Sequence, residues 1–172
     1  QRSGISKVSV KNKVVGSIYR GLVLIVCIEK DDNVDVIKKA AEKVLSLRIF
    51  EDENRKMNKS IEDVKGEILA ISQFTLSWRG LKGNRPSFDK SMPPEEANSL
   101  FNEFVKQLAL SASVSTGSFG EAMDVQIQND NANWAFGRLR GSRRKFSKNF
   151  RKIFVQIVRL FVCSFVRKFF KF

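Results

Sequence analysis

The chain has 172 residues, a formal net charge of +13 and no histidine. At 42% apolar composition it carries enough hydrophobic material for one compact domain with an appendage, which argues against wholesale disorder. Without histidine it can build neither a Ser-His-Asp or Cys-His nucleophile system nor a His-containing zinc site.

In chain order, valines at 8, 10, 14 and 15 flank Lys11-Asn12-Lys13 and predict a short hairpin. Residues 22–28 form a continuous apolar run of strand length, the pattern of a central strand buried on both faces. Asp31-Asp32-Asn33 supplies N-cap residues, and Val36, Ile37, Ala40, Ala41, Val44 and Leu45 then recur at helical spacing, predicting an amphipathic helix packed on a sheet. Residues 48–50 read as a short strand, 51–56 as a charged turn and 67–75 as the next strong strand. A Gly/Arg/Lys loop follows over 78–87. Pro93-Pro94-Glu95-Glu96 opens a second helix, because proline is tolerated in the first turn and acids suit the N-terminal dipole. Leu100, Phe101, Phe104, Val105 and Leu108 give that helix one apolar face, and residues 125–128 close the body as a strand. These elements predict an α+β domain over 1–130: curved, mostly antiparallel β-sheet layers covered by two main helices.

The charge is partitioned. Residues 138–172 hold 12 basic and no acidic residues, so the preceding body carries a net charge of only +1. In the tail, Phe146, Phe150, Ile153, Phe154, Ile157, Val158, Leu160 and Phe161 share an arc of roughly 160° on an ideal helix, with basic residues opposite. A basic amphipathic segment of this kind suits an RNA backbone or an anionic membrane surface, while a packed or frayed tail is the plainer alternative. Cys27, inside the apolar run, reads as a buried core thiol; with Cys163 it forms no CxxC motif, which fits a reducing, cytoplasmic setting. The first residues lack both a start methionine and an apolar signal core, so a few residues are expected to be missing there.

The catalytic inventory is thin. No metal cluster is visible, and no cofactor motif: Gly80-Leu81-Lys82-Gly83 lacks the phosphate-loop pattern. Asp31-Asp32 and Glu51-Asp52-Glu53 sit at element boundaries and read as caps or turns before acid/base pairs. Arg79, Lys82 and Arg85 suit either phosphate contact or a plain solvated loop. The unusual feature is Ser72-Gln73-Phe74-Thr75 at the exit of an apolar strand, where polar side chains commonly face a pocket.

A resemblance enters at these residues. Gln1-Arg2, Val14-Val15-Gly16, Gly21-Leu22, Leu47-Arg48-Ile49-Phe50-Glu51-Asp52, Lys56-Met57-Asn58, Ser72-Gln73-Phe74-Thr75-Leu76, Lys82-Gly83-Asn84-Arg85-Pro86-Ser87-Phe88, Pro93-Pro94-Glu95-Glu96-Ala97, Thr116-Gly117-Ser118-Phe119-Gly120 with Met123, and Asn129-Asp130 follow one another in order. Together they resemble the D-aminoacyl-tRNA deacylase family over about three quarters of the chain. The resemblance implies a cytoplasmic homodimer that hydrolyses the ester joining a D-amino acid or glycine to the 3′-terminal adenosine of tRNA. It implies no metal, no cofactor and no essential side-chain nucleophile, the RNA 2′-hydroxyl assisting instead. By position, Gln73, Phe74 and Thr75 are the catalytic candidates, with backbone N–H groups near Phe74 and Thr75 holding the oxyanion. Ser72 would line the pocket, Phe119 and Met123 would hold the adenine, Gly120 would permit close approach, and Arg2 would fix a Gly-Pro loop.

That loop is where the chain departs. In the family, Asn-Asp is followed by a cis Gly-Pro that excludes L-amino acids; here Asn129-Asp130 is followed by Asn131-Ala132-Asn133-Trp134. Both Gly and Pro are absent there, so neither the chirality filter nor the final strand carries over, and a cis bond before a residue other than proline costs about 2.5–4 kcal/mol. Two origins fit: an extension that replaced the normal end, or a shifted reading frame near residue 131. The alternative function is a catalytically impaired, deacylase-like protein that binds nucleic acid through its basic tail.

Overall fold

The computed structural model describes residues 1–78 and 84–129. The expectations for the tail, for Arg79 and Lys82, and for the segment after Asn129 lie outside the described residues.

Strands β1 (Arg2–Val10) and β2 (Lys13–Ile18) form the expected hairpin, longer than its valines suggested. Lys11 and Asn12 turn it with φ of 48° and 64°, the left-handed pair that a tight two-residue turn requires. β3 (Gly21–Val26) then continues along the same edge of β1, where Arg2 faces Leu22 and Ser3 faces Gly21. Helix α1 (Val34–Leu45) starts on Asn33, whose side chain accepts the Val36 N–H at 3.1 Å, and buries Ile37, Ala40, Ala41, Val44 and Leu45. A small antiparallel pair follows, β4 (Phe50–Glu51) with β5 (Met57–Lys59). β6 (Glu67–Ser72) lies parallel to β3. Helix α2 (Pro94–Ala109) crosses over to β7 (Ser113–Thr116), which lies parallel to β6. β8 (Asp124–Asn129) closes on the other edge of β1.

The α+β reading holds, with a mixed sheet. Antiparallel pairing surrounds β1, and a parallel trio, β3-β6-β7, extends beyond it. β7 carries no strand signal in sequence, because Ser113-Val114-Ser115-Thr116 is too short and polar to announce itself. The sheet curls until its far strand meets its first. Ser115 Oγ donates to the Ser17 carbonyl at 2.9 Å, and a Cβ added to Gly16 would lie 2.5 Å from the Thr116 carbonyl oxygen. The result is a nearly closed barrel.

Strand alternation divides the apolar residues between two cores. Leu22, Ile68 and Ala70 face outward onto α1 and α2, together with Phe50, Phe101, Phe104 and Leu108. Val8, Ile18, Val23, Leu69 and Ile71 fill the inside of the curl. The run at 22–28 is therefore buried on both faces at Leu22 and Val23, and half-buried toward Val26.

Candidate functional site

Three parallel strands deliver their C-terminal ends to one rim. Val26 of β3 pairs with Ser72 of β6, and Thr116 of β7 pairs with Ala70. The loops leaving that rim carry Cys27, the Ser72–Thr75 stretch, and Phe119 to Met123. The carboxyl ends of adjacent parallel strands are where ligands gather in parallel sheets, since the loops there converge on one opening.

β6 ends at Ser72 rather than running on to Thr75, a correction to the sequence expectation. The physical reason is the end of its partner. Gln73 N–H still reaches the Val26 carbonyl at 2.7 Å, and β3 offers no further ladder position beyond Val26. The chain turns instead into a 3-10 turn, Phe74–Ser77, pinned by the burial of Leu76 and Ser77. Within it, Leu76 N–H bonds the Gln73 carbonyl at 3.4 Å, and Trp78 N–H bonds the Thr75 carbonyl at 3.2 Å. This turn leaves the N–H groups of Phe74 and Thr75 without intrahelical acceptors, as at the start of any helical turn.

Cys27 orients the peptide between these two residues. Its Sγ–H donates to the Phe74 carbonyl at 3.5 Å. No cis peptide occurs among the described residues, so C=O and N–H of each peptide point in opposite directions. With the Phe74 carbonyl turned onto the buried thiol, the Thr75 N–H points away from it. The thiol stays protonated for this role. Burial pushes it up to about 11 and the nearby Glu29 charge adds to the rise, partly offset by a hydrogen bond from the Ser91 side chain. In sequence Cys27 reads only as a core cysteine; its contact with a residue 47 positions away carries no local signal.

On the side-chain side, Gln73 Nε2 donates to Thr75 Oγ1 at 2.6 Å. An amide nitrogen cannot accept a proton, so this partner orients the hydroxyl without activating it. Phe74 is 58% exposed, and its ring meets Phe88 edge-on, with centroids 5.2 Å apart at 84°.

Phe119 and Met123 leave the same rim but pack on different faces. Phe119 tilts against Phe101 of α2, centroids 6.1 Å apart, in the outer core. Met123 packs against the inner core, with its sulfur so close to Gly117 that a Cβ there would overlap it. Gly120 has φ +78°, and a Cβ on it would meet nothing within 4 Å. Its glycine answers to backbone conformation, not to crowding.

Arg2 stands apart. It faces Leu22, four residues and roughly 13 Å along β3 from Val26. Its guanidinium is 9% exposed, donates from Nη1 to the Ile49 carbonyl at 2.9 Å, and lies 3.8 Å from Glu51 Oε1. The structure thus brings together Ser72, Gln73, Phe74, Thr75, Phe119, Gly120 and Met123 at one end of the barrel, and places Arg2 elsewhere. The carboxylate clusters behave as turns. Asp32 Oδ2 accepts the Glu29 N–H at 2.8 Å, and Asp52 Oδ1 accepts the Asn54 and Lys56 N–H groups at 2.9 and 3.0 Å. Those backbone donors, Lys56 foremost, hold the Asp52 carboxyl below its ordinary range. Among the described residues no group of three or more His, Cys, Asp or Glu side chains is arranged to hold a metal. Among them, too, no helix is long and apolar enough to cross a membrane.

The family described as D-Tyr-tRNA(Tyr) deacylase matches residues 1–131. The chain belongs to this family. A D-aminoacyl-tRNA deacylase of Haemophilus influenzae (strain PittGG) is 46% identical over 130 residues, 76% of this chain and 90% of that protein. A solved structure titled c-Myc DNA Unwinding Element Binding Protein superposes with a TM-score of 0.72 at 39% identity, covering 76% of this chain and 89% of its own. A second, titled as a probable eukaryotic D-amino acid tRNA deacylase, shares the fold at 17% identity, with a TM-score of 0.65 over 76% of this chain and 91% of its own. The Ser72–Thr75 stretch and the Phe119 loop thus leave the same rim, although 42 residues lie between Gln73 and Thr116 in the chain.

Proposed function

We propose that the chain hydrolyses the ester between a D-amino acid, or glycine, and the 3′-terminal adenosine of tRNA, a proofreading step in translation. Membership of the deacylase family over residues 1–131 carries this reading. The orientation of the Phe74–Thr75 peptide supports it chemically.

In this mechanism the ester carbonyl oxygen lies against the N–H groups of Phe74 and Thr75, which the start of the 3-10 turn leaves without intrahelical acceptors. As water adds to the carbonyl carbon, negative charge develops on that oxygen, and donors fixed in advance stabilise it without reorganising. The tetrahedral intermediate then expels the ribose 3′-oxygen, which takes a proton, and the free amino acid leaves. The RNA 2′-hydroxyl assists the proton movements, which suits a chain with no histidine. Gln73 and Thr75 position the substrate, Ser72 lines the pocket wall, and Phe119 and Met123 approach the adenine from either side of the rim, with Gly120 shaping the loop between them. A homodimer completes the pocket. Arg2 supports it from a distance by fixing Ile49 and the β4 residue Glu51.

The second reading is nucleic-acid binding without hydrolysis. It is favoured by the 12 basic residues of segment 138–172, and by the name of the 39%-identical relative, which describes a DNA-binding protein. One assay separates the readings: release of tyrosine from D-Tyr-tRNA and from L-Tyr-tRNA. Release from the D-ester alone establishes the deacylase with its selectivity. Release from both shows the chemistry without the Gly-Pro filter. Release from neither, with salt-sensitive RNA binding, overturns the enzymatic reading.

A further inference from the structure

Phe88 lies next to the site in space and 14 residues beyond Phe74 in sequence. The two rings meet because the segment after Phe88 is tied to the exit of β3. Ser91 N–H bonds the Phe88 carbonyl at 2.9 Å, Ser91 bridges to Glu29, Met92 N–H bonds the Ile28 carbonyl at 3.0 Å, and Lys30 N–H bonds the Lys90 carbonyl at 3.0 Å. The same exit carries Cys27. Phe74 is therefore held twice from one anchor: its carbonyl by the Cys27 thiol, and its ring by the edge of Phe88.

The second hold matters because Phe74 is 58% exposed. The ring of an exposed phenylalanine on a short turn exchanges rotamers within nanoseconds unless a neighbour restrains it. Allowed rotamers depend on backbone φ and ψ, so a ring that changes rotamer alters the preferred dihedrals at the Cα joining the Gln73–Phe74 peptide to the Phe74–Thr75 peptide. An edge-to-face partner at this distance favours one orientation by about two- to tenfold.

We infer that Phe88 is a positioning residue, fixing the Phe74 ring and through it the Phe74–Thr75 peptide. The inference rests on the proposed reading of that peptide as the oxyanion donor. A positioning role of this kind acts on the reacting carbonyl, so it is indifferent to the amino acid carried.

The test uses the full chain and three variants: Phe88→Ala, Phe88→Leu and Phe88→Tyr. For both D-Tyr-tRNA and glycyl-tRNA, F88A is expected to lower kcat about tenfold with KM within twofold of wild type. F88L, which keeps apolar bulk and loses the ring edge, lowers kcat about threefold, and F88Y restores it to within twofold. The second readout is the Thr75 amide resonance in an 15N-labelled sample, expected to shift or broaden in F88A and F88L while the Ser6 and Val8 resonances of β1 stay in place. If F88A does not fold, F88L carries both measurements. An unchanged kcat in folded F88A or F88L overturns the inference, as does a loss confined to one of the two esters. A wild-type protein that cleaves no ester overturns the catalytic reading instead. The resonance then decides the positioning role alone: moved, it stands; unmoved, it falls.

Discussion

The hydroxyl of Thr75 offers the sharpest discrimination between mechanisms. Thr75→Val removes the oxygen and keeps the shape. Among the described residues that oxygen accepts one hydrogen bond, from Gln73 Nε2 at 2.6 Å, and both residues are half-buried, so water can replace the lost partner. The cost is then that of a single neutral hydrogen bond, about 0.5–1.5 kcal/mol. Expressed wholly in the transition state, this lowers kcat by about 2- to 13-fold. If Thr75 were the nucleophile, its removal would cost on the order of 10⁶-fold, as in enzymes where a side-chain oxygen forms the acyl intermediate. Single-turnover hydrolysis of D-Tyr-tRNA resolves the two outcomes with a wide margin. A T75V rate reduced more than a thousandfold, in a variant that still binds tRNA, would refute the positioning argument. Thr75→Ser sharpens the comparison, since it retains both oxygen and hydrogen bond and is expected within about threefold of wild type.

Other consequences follow from burial and close approach. Burial raises the Cys27 thiol above its ordinary value of 9.0 to about 11, so its stabilising contribution is complete below pH 9 and is lost as pH rises through 11. The gap in urea midpoint between wild type and Cys27→Ala should therefore shrink across that window, and a gap independent of pH would contradict the burial argument. Gly16→Ala forces the Thr116 carbonyl to move from a Cβ 2.5 Å away; chemical denaturation should show a loss of about 1–3 kcal/mol. An unchanged stability would mean that β2 and β7 can separate freely. Phe50→Ala empties a site with 0% exposure in the outer core and is expected to cost about 3–5 kcal/mol, read from urea unfolding at constant slope.

Much of the molecule was legible in its sequence because much of it is locally encoded. Helices α1 and α2 announce themselves by apolar spacing and by Asn33 and Pro94 at their starts, since helix faces and caps are properties of neighbouring residues. The core strands β3 and β6 are apolar enough to be seen singly. The motif Ser72-Gln73-Phe74-Thr75 could be marked as a site because polar residues break an apolar run there.

Tertiary structure decided which strands became neighbours. A strand's sequence specifies which faces are apolar, not which edge it joins, so the parallel trio β3-β6-β7 and the return of β7 to β2 were not readable. The end of β6 at Ser72 depended on where β3 stopped. The same applies to the site's supports: Cys27 reaches Phe74, and Phe88 packs on its ring, only because the β3 exit gathers segments far apart in the chain. Arg2 shows the limit from the other side, its position in sequence known and its partners, Ile49 and Glu51, fixed by the fold. Local patterning thus determined the elements and the reacting stretch, whereas long-range pairing set the orientation of the peptide on which the proposed chemistry depends.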